Sequence, residues 1–172
     1  MRDRFGVLIR LDFYSNNDLY EIIRRSANIM GIKINKNGAL EIAKRSRGTP
    51  RIANRILKRA RDFAQVESDG TISADIANLA LNKLGIDALG LDKMDRNILK
   101  IIIEKFDGGP VGLESLAVAM SEDARTLEEV YEPFLIKEGF IQRTSRGRKA
   151  LEKTYNYLKI DIPNKDHQQN IF

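Results

Sequence analysis

The stretch Phe140-Ile-Gln-Arg-Thr-Ser-Arg-Gly-Arg148 decides the fold of the second half of this chain. Its first three residues predict a short strand, and residues 143–148 predict a basic turn that follows the strand. Apolar spacing predicts helices over residues 92–106, 112–120, 126–138 and 149–158. Three helices, a strand, a basic turn and a last helix are typical of a winged helix, a fold that often binds DNA.

The residues before this pattern predict a small bundle of four helices. Apolar stripes place the first two over residues 17–30 and 36–46. The third has the clearest start, with Thr49 as the N-cap and Pro50 as the first helical residue. Ser73 caps the fourth helix. Short links between the four helices favour a bundle.

The N-terminal end predicts one strand without a partner. Ile9, Leu11 and Phe13 alternate onto one face of residues 5–14, and no other strand is predicted before residue 135. A lone strand is unstable, so we expect the chain to begin inside a larger domain. The expected parts are residues 1–14 as the last strand of that domain, 15–86 as the helical bundle, 87–160 as the winged helix and 161–172 as a disordered tail.

Composition restricts the possible functions. The chain of 172 residues has no Cys and a single His, His167, so we expect neither a disulfide nor a metal site. No apolar run is long enough for a membrane span, and we expect a soluble cytoplasmic protein without membrane contact. The net charge is +5, and basic residues are concentrated in residues 44–61 and 140–159. Two basic segments suggest two contacts with polyanions, although a solvated surface would have the same composition.

The sequence contains no complete catalytic motif. It has neither the G-x-x-x-x-G-K-[ST] loop that binds nucleotide phosphates nor a Ser/His/Asp set, so we expect this chain alone to be inactive. Thr49-Pro50-Arg51 could bind an anion, because a helix start offers free N–H groups and arginine adds a planar cation. From periodicity alone, a solvated helix face explains these residues as well.

Seven segments together resemble one known family. They are Arg2–Gly6, Leu11–Tyr14, Arg47–Arg55, Asp69–Asp75, Phe106–Leu113, Glu132–Leu135 and Gln142–Arg148. In order and spacing, across residues 2–160, they resemble the RuvB family of Holliday-junction branch-migration motors. Ser145 departs from that pattern, in which a proline is expected.

The resemblance implies a mainly helical fold: the terminal strand of an AAA+ ATPase core, a helical lid subdomain and a DNA-binding winged helix. It also implies a homo-hexameric ATP-dependent DNA helicase that drives branch migration with RuvA in recombination and repair. The cofactors would be ATP and ADP, with Mg²⁺ bound by an N-terminal part that this sequence lacks.

The resemblance assigns nucleotide roles to three residues. Arg4 resembles the arginine finger, which reaches the γ-phosphate bound by the neighbouring subunit, although Arg2 is an alternative on sequence alone. Tyr14 resembles a residue that lines the nucleotide pocket, and packing between domains would explain it nearly as well. Arg51 resembles the sensor-2 arginine, which would make lid rotation the mechanical step.

The resemblance also places DNA contacts in the basic turn. Arg143 and Arg148 resemble the DNA contacts of the winged helix, and Arg146 lies between them. The presumed recognition helix carries four acidic residues: Glu122, Asp123, Glu128 and Glu129. Such a helix is poorly suited to the major groove, so we expect binding to the DNA backbone without sequence preference.

Two other functions remain possible on sequence grounds. A free-standing winged-helix transcription regulator would have no enzyme attached, and the unpaired N-terminal strand would then be unexplained. An origin-recognition type AAA+ protein also joins a lid to a winged helix, and it would be expected to read a DNA sequence.

Overall fold

A computed structural model of the chain describes residues 12–162, and these are mainly helical. These described residues divide into two compact units, with the boundary in the sequence between Asp92 and Lys93. In the part that the structure describes, no helix is long and apolar enough to cross a membrane.

The first unit is a bundle of four helices with two very short strands. Its elements are α1 (Asn16–Ile29), β1 (Lys33–Ile34), α2 (Lys36–Lys44), α3 (Pro50–Glu67), β2 (Thr71–Ile72) and α4 (Ala74–Lys83). Each helix turns an apolar stripe inwards, and the fully buried core includes Leu19, Ile23, Ile42, Ile56 and Leu81. The helical prediction for this part is therefore confirmed, including Thr49 as N-cap and Pro50 at the start of α3.

The expectation of no further strand before residue 135 was wrong. Strands β1 and β2 pair in parallel, with Lys33 opposite Thr71 and Ile34 opposite Ile72. Two residues are too few to show an alternating pattern, and the partners are far apart in sequence. Only the packing of the helices brings them together, so the local sequence carries no signal for this sheet.

The second unit has the winged-helix order of elements. They are α5 (Lys93–Phe106), α6 (Leu113–Met120), α7 (Ala124–Thr126), a π-helical turn (Leu127–Tyr131), α8 (Glu132–Lys137), β3 (Ile141–Thr144), β4 (Gly147–Ala150) and α9 (Glu152–Leu158). The predicted helix over 126–138 thus begins earlier, capped by Asp123, and contains a π-helical turn. Pro133 explains the irregularity, because it has no N–H to donate to the preceding turn.

The predicted basic turn is a β-hairpin in the structure. Strands β3 and β4 are antiparallel and place Arg143 directly opposite Arg148, so the turn itself contains only Ser145 and Arg146. Consequently the last helix begins at Glu152 and not at residue 149. Val111 forms an isolated antiparallel bridge with Arg148 of β4. Its N–H donates to the Arg148 carbonyl, and its carbonyl accepts from the Arg148 N–H.

The predicted N-terminal strand lies mostly outside the described residues, as do Arg2, Arg4, His167 and most of the predicted tail. Of that strand, the structure describes only Asp12–Tyr14, and these residues are not in a strand.

Candidate nucleotide and nucleic-acid interfaces

The start of α3 offers backbone donors and an exposed arginine. Thr49 has an extended backbone, and its side chain makes no capping hydrogen bond. The N–H groups of Arg51 and Ile52 therefore have no acceptor within the helix. The Arg51 side chain is exposed in the same first turn, and no carboxylate among residues 12–162 forms an ion pair with it.

Tyr14 lies beside this helix start. Its N–H donates to the carbonyl of Gly48 at 2.9 Å, and the residue is 49% exposed. This hydrogen bond joins Tyr14 to Gly48, which lies three positions before Arg51. Tyr14 and Arg51 themselves are 37 positions apart in sequence. Thus the structure ties the backbone of Tyr14 to the turn that precedes Arg51, and both residues are exposed.

The arginines of the wing, the hairpin formed by β3 and β4, differ in exposure. The Arg148 side chain is only 8% exposed and donates from Nε and Nη2 to Oε2 of Glu132, at 3.0 and 2.8 Å. Glu132 is also buried, so the two groups form an ion pair inside the unit. The prediction that Arg148 contacts DNA does not fit this position, because its guanidinium is not presented to solvent.

Arg143 has the opposite environment. Its side chain is 56% exposed, and Nη2 lies 2.6 Å from Oε1 of Glu128 on the presumed recognition helix. Its Nη1 lies 4.0 Å from Oε1 of Glu132, which has no hydrogen-bond partner in the described part of the chain. An incoming phosphate must therefore compete with Glu128 for the Arg143 guanidinium.

Arg146 occupies the tip of the hairpin. Its side chain is exposed, and its N–H donates to the Thr144 hydroxyl at 3.2 Å, which orders the turn. Within residues 12–162, no carboxylate forms an ion pair with Arg146. Of the three arginines predicted to contact DNA, it is the one for which a phosphate would not compete with a carboxylate of the described residues.

The presumed recognition helix is acidic on its exposed side, as the sequence predicted. Glu129 binds Arg125, and Glu128 binds Arg143 at 2.6 Å and also lies 3.6 Å from Nη2 of Arg148. The hydrogen bond and charge of Glu129 raise the pKa of Arg125 above its usual value. The exposed side of this helix would therefore present carboxylates to DNA, which is a poor arrangement for reading bases.

Glu128 and Glu132 are the residues that sequence reasoning did not assign correctly. From the sequence, Glu128 was predicted only to be one of four acidic residues on the presumed recognition helix, and Glu132 was given no role. Their spacing of four residues places both on one helix face, which was a usable signal that they could share a partner. Within the described residues, no three His, Cys, Asp or Glu side chains form a group that could hold a metal ion.

Two family models match nearly the whole described chain. Residues 14–87 match the RuvB AAA lid domain, and residues 88–159 match the RuvB C-terminal winged helix domain. A relative from Fusobacterium nucleatum, the Holliday junction branch migration complex subunit RuvB, is 55% identical over 159 residues, which are 92% of this chain and 48% of that protein.

Solved structures give the same result. The Thermotoga maritima RuvB Holliday junction branch migration motor aligns with a TM-score of 0.90 and 51% identity, covering 94% of this chain and 54% of that one. A single-residue mutant of the same Thermotoga protein aligns with a TM-score of 0.91, with the same identity and coverage. The chain therefore spans about half the length of the relatives that it matches. Because lid and winged-helix models match in succession, and relatives are more than half identical, this chain belongs to the RuvB family.

Proposed function

We propose that this chain is the lid and DNA-binding part of an ATP-driven motor that moves the branch point of Holliday junctions in recombination and repair. The observation that carries the proposal is the unbroken succession of RuvB lid and winged-helix matches over residues 14–159. The catalytic core that binds most of the nucleotide would lie in a segment preceding this sequence.

The wing is proposed to grip the DNA backbone. Arg143 and Arg146 supply two exposed guanidinium groups on one hairpin, and Gly147 allows the turn to be tight. Phosphates are the same at every base pair, so a motor that moves along any sequence benefits from such contacts. Arg148 takes a different part in this proposal: its ion pair with Glu132 fixes the hairpin against the recognition helix.

The start of α3 is proposed to meet the phosphates of ATP or ADP. Arg51 and the two free N–H groups are suited to an anion, and the exposed Tyr14 ring is suited to packing on the base or ribose. Hydrolysis of the bound nucleotide would supply the free energy for movement. Arg51, fixed on a rigid helix, would respond to loss of the γ-phosphate by moving the lid.

The remaining parts of the proposal concern assembly. A homo-hexamer would place Arg4 of one subunit beside the γ-phosphate of the next, with Mg²⁺ bound by the catalytic core. We further propose RuvA as the partner, double-stranded DNA at a four-way junction as the substrate, and the cytoplasm as the location. The Fusobacterium relative is named as a subunit of a branch migration complex, which supports a partner protein.

DNA binding by the chain tests the proposal directly. For several unrelated duplexes we expect equal affinities that weaken steeply with salt, and no ATP turnover without the core. Arg143→Ala combined with Arg146→Ala removes two phosphate contacts, so the slope of log K against log salt should flatten by about 1.8.

The matched control is Arg125→Ala, which removes an exposed arginine of the same unit that lies on the helix and not on the wing. It should leave the slope nearly unchanged. A transcription regulator would instead prefer one duplex by several kcal/mol. Such a preference, or ATP hydrolysis by the purified chain, would contradict the proposed function.

A further inference from the structure

Arg47 is a buried arginine with no role in either interface described above. Its side chain is only 9% exposed, and Nη2 lies 3.0 Å from Oδ2 of Asp92. Its Nε donates to the carbonyl of Gly90 at 3.1 Å. The backbone φ of Arg47 is 55°, in the left-handed region that side chains other than glycine rarely adopt. A buried cation on an unfavourable backbone is retained only where the surrounding contacts impose it.

One end of this contact is the turn that begins α3. Arg47 precedes Gly48, whose carbonyl accepts the N–H of Tyr14, and the N–H of Thr49 donates to the Ser46 carbonyl at 2.9 Å. Ser46 is fully buried and is fixed in turn by a hydrogen bond to α2. Residues 46–49 therefore form a tight turn whose position determines where Tyr14 and Arg51 lie.

The other end is the segment that leads into the winged helix. The Asp87 carboxylate accepts from the N–H groups of Leu89 and Leu91, and the Asp87 N–H donates to the Leu91 carbonyl. Residues 87–91 therefore form a loop closed by its own hydrogen bonds. Asp92 follows it directly, and Lys93 begins α5.

We propose that Arg47 is a positioning residue that couples the nucleotide-facing start of α3 to the segment 87–92 entering the winged helix. This inference rests on the proposed function, because it gives the lid movement a route toward the DNA-binding unit. A guanidinium that binds a carbonyl and a carboxylate two residues apart follows both rigidly, since the two contacts fix its direction as well as its position. A shift of the turn at residues 46–49 is then passed to Gly90 and Asp92.

Hydrogen exchange in the full chain tests the contact itself. Arg47→Met keeps the bulk of the side chain but removes its bonds to Gly90 and Asp92, so amides in residues 46–51 and 87–92 should exchange about tenfold faster or more. The matched control is Arg45→Met, because Arg45 is similarly buried and binds Glu41 and Asn78 within the bundle. It should leave 87–92 unchanged.

Two further variants keep this test decisive. Arg47→Lys should give exchange rates between those of the unaltered chain and Arg47→Met, because one ammonium cannot reproduce the contacts of a guanidinium with both Gly90 and Asp92. If Arg47→Met does not fold, Asp92→Asn replaces it and should loosen the same segments. Unchanged exchange at 87–92 in every folded Arg47 and Asp92 variant overturns the proposal. The same holds if Arg45→Met loosens 87–92 as much as Arg47→Met does.

Coupling is measured in the full-length motor that carries this chain. The readout is the length of DNA moved for each ATP hydrolysed. A residue that only stabilises the fold would lower the rate of DNA movement and the rate of ATP hydrolysis together, and this ratio would not change. For Arg47→Met we expect the length of DNA moved per ATP to fall about fivefold or more, whether or not looser placement of Arg51 also slows hydrolysis. An unchanged ratio overturns the inference, whereas absence of DNA movement by the unaltered motor would instead refute the proposed function.

Discussion

Replacing Arg148 with methionine removes the main cation from the buried Glu132 carboxylate. The two groups are joined by hydrogen bonds of 2.8 and 3.0 Å and are both nearly inaccessible. At about 4 Å between charge centres and an effective dielectric constant of ~20, their attraction is about 4 kcal/mol. Loss of one partner from a buried pair costs about 3–5 kcal/mol. Arg143 lies 4.0 Å from the other Glu132 oxygen and can partly replace Arg148, so we expect about 3 kcal/mol.

Thermal unfolding of the winged-helix unit measures this loss. For a unit of this size, about 3 kcal/mol lowers Tm by about 12–24 °C. The double variant Glu132→Met with Arg148→Met removes both charges and should recover most of the stability, because neither group remains buried without a partner. Arg125→Met is the control, since it breaks an exposed pair and should cost less than about 1 kcal/mol.

DNA binding by the double variant then separates two roles for Arg148. If Arg148 only fixes the hairpin, the stable double variant should bind DNA with the affinity and salt dependence of the unaltered chain. If Arg148 contacts a phosphate, binding should stay weak and the salt slope should be smaller by about 0.9. That second result, or a single variant that melts like the unaltered chain, would refute the reasoning.

Three other substitutions follow from the same geometry. In a binding titration, Glu128→Gln should tighten binding to every duplex, most clearly at low salt, because it releases Arg143 for phosphate. The control Glu129→Gln removes the same charge without releasing Arg143 and should have a smaller effect. Gly147→Ala should destabilise the wing by about 1–3 kcal/mol in urea unfolding, because φ is 133° and the added Cβ would collide with a backbone carbonyl; unchanged stability would contradict the close packing. Arg4→Ala in the full-length motor should abolish ATP hydrolysis and retain ATP binding, whereas loss of binding would point to Arg2 as the finger.

The helices were predictable because their signals are local. Apolar residues repeat at the helical period in α1, α3 and α5, and Ser15 and Ser73 accept N–H groups at the starts of α1 and α4. Proline at residue 50 predicted the start of α3 for the same reason, since its fixed φ suits a first turn. Such signals involve residues at most four apart, so no tertiary contact is needed to interpret them.

The two-residue strands and the hairpin register could not be predicted in this way. Parallel pairing of β1 with β2 joins residues 38 positions apart, and nothing local selects that partner. In the hairpin, a composition of three arginines predicted a basic turn. The ladder instead extends to Thr144 and Gly147, which leaves Arg143 and Arg148 in strands.

By itself the sequence determined the helical order, the winged-helix arrangement and membership of the RuvB family, because these depend on local periodicity and on segments in a fixed order. Only the tertiary structure decided that Arg148 is buried against Glu132, that Arg143 binds Glu128, and that Arg47 reaches Asp92. The physical reason is that an arginine has the same sequence signature on a surface and in an ion pair. Its environment is set by which carboxylate the fold places within reach, and those partners lie 15, 16 and 45 residues away.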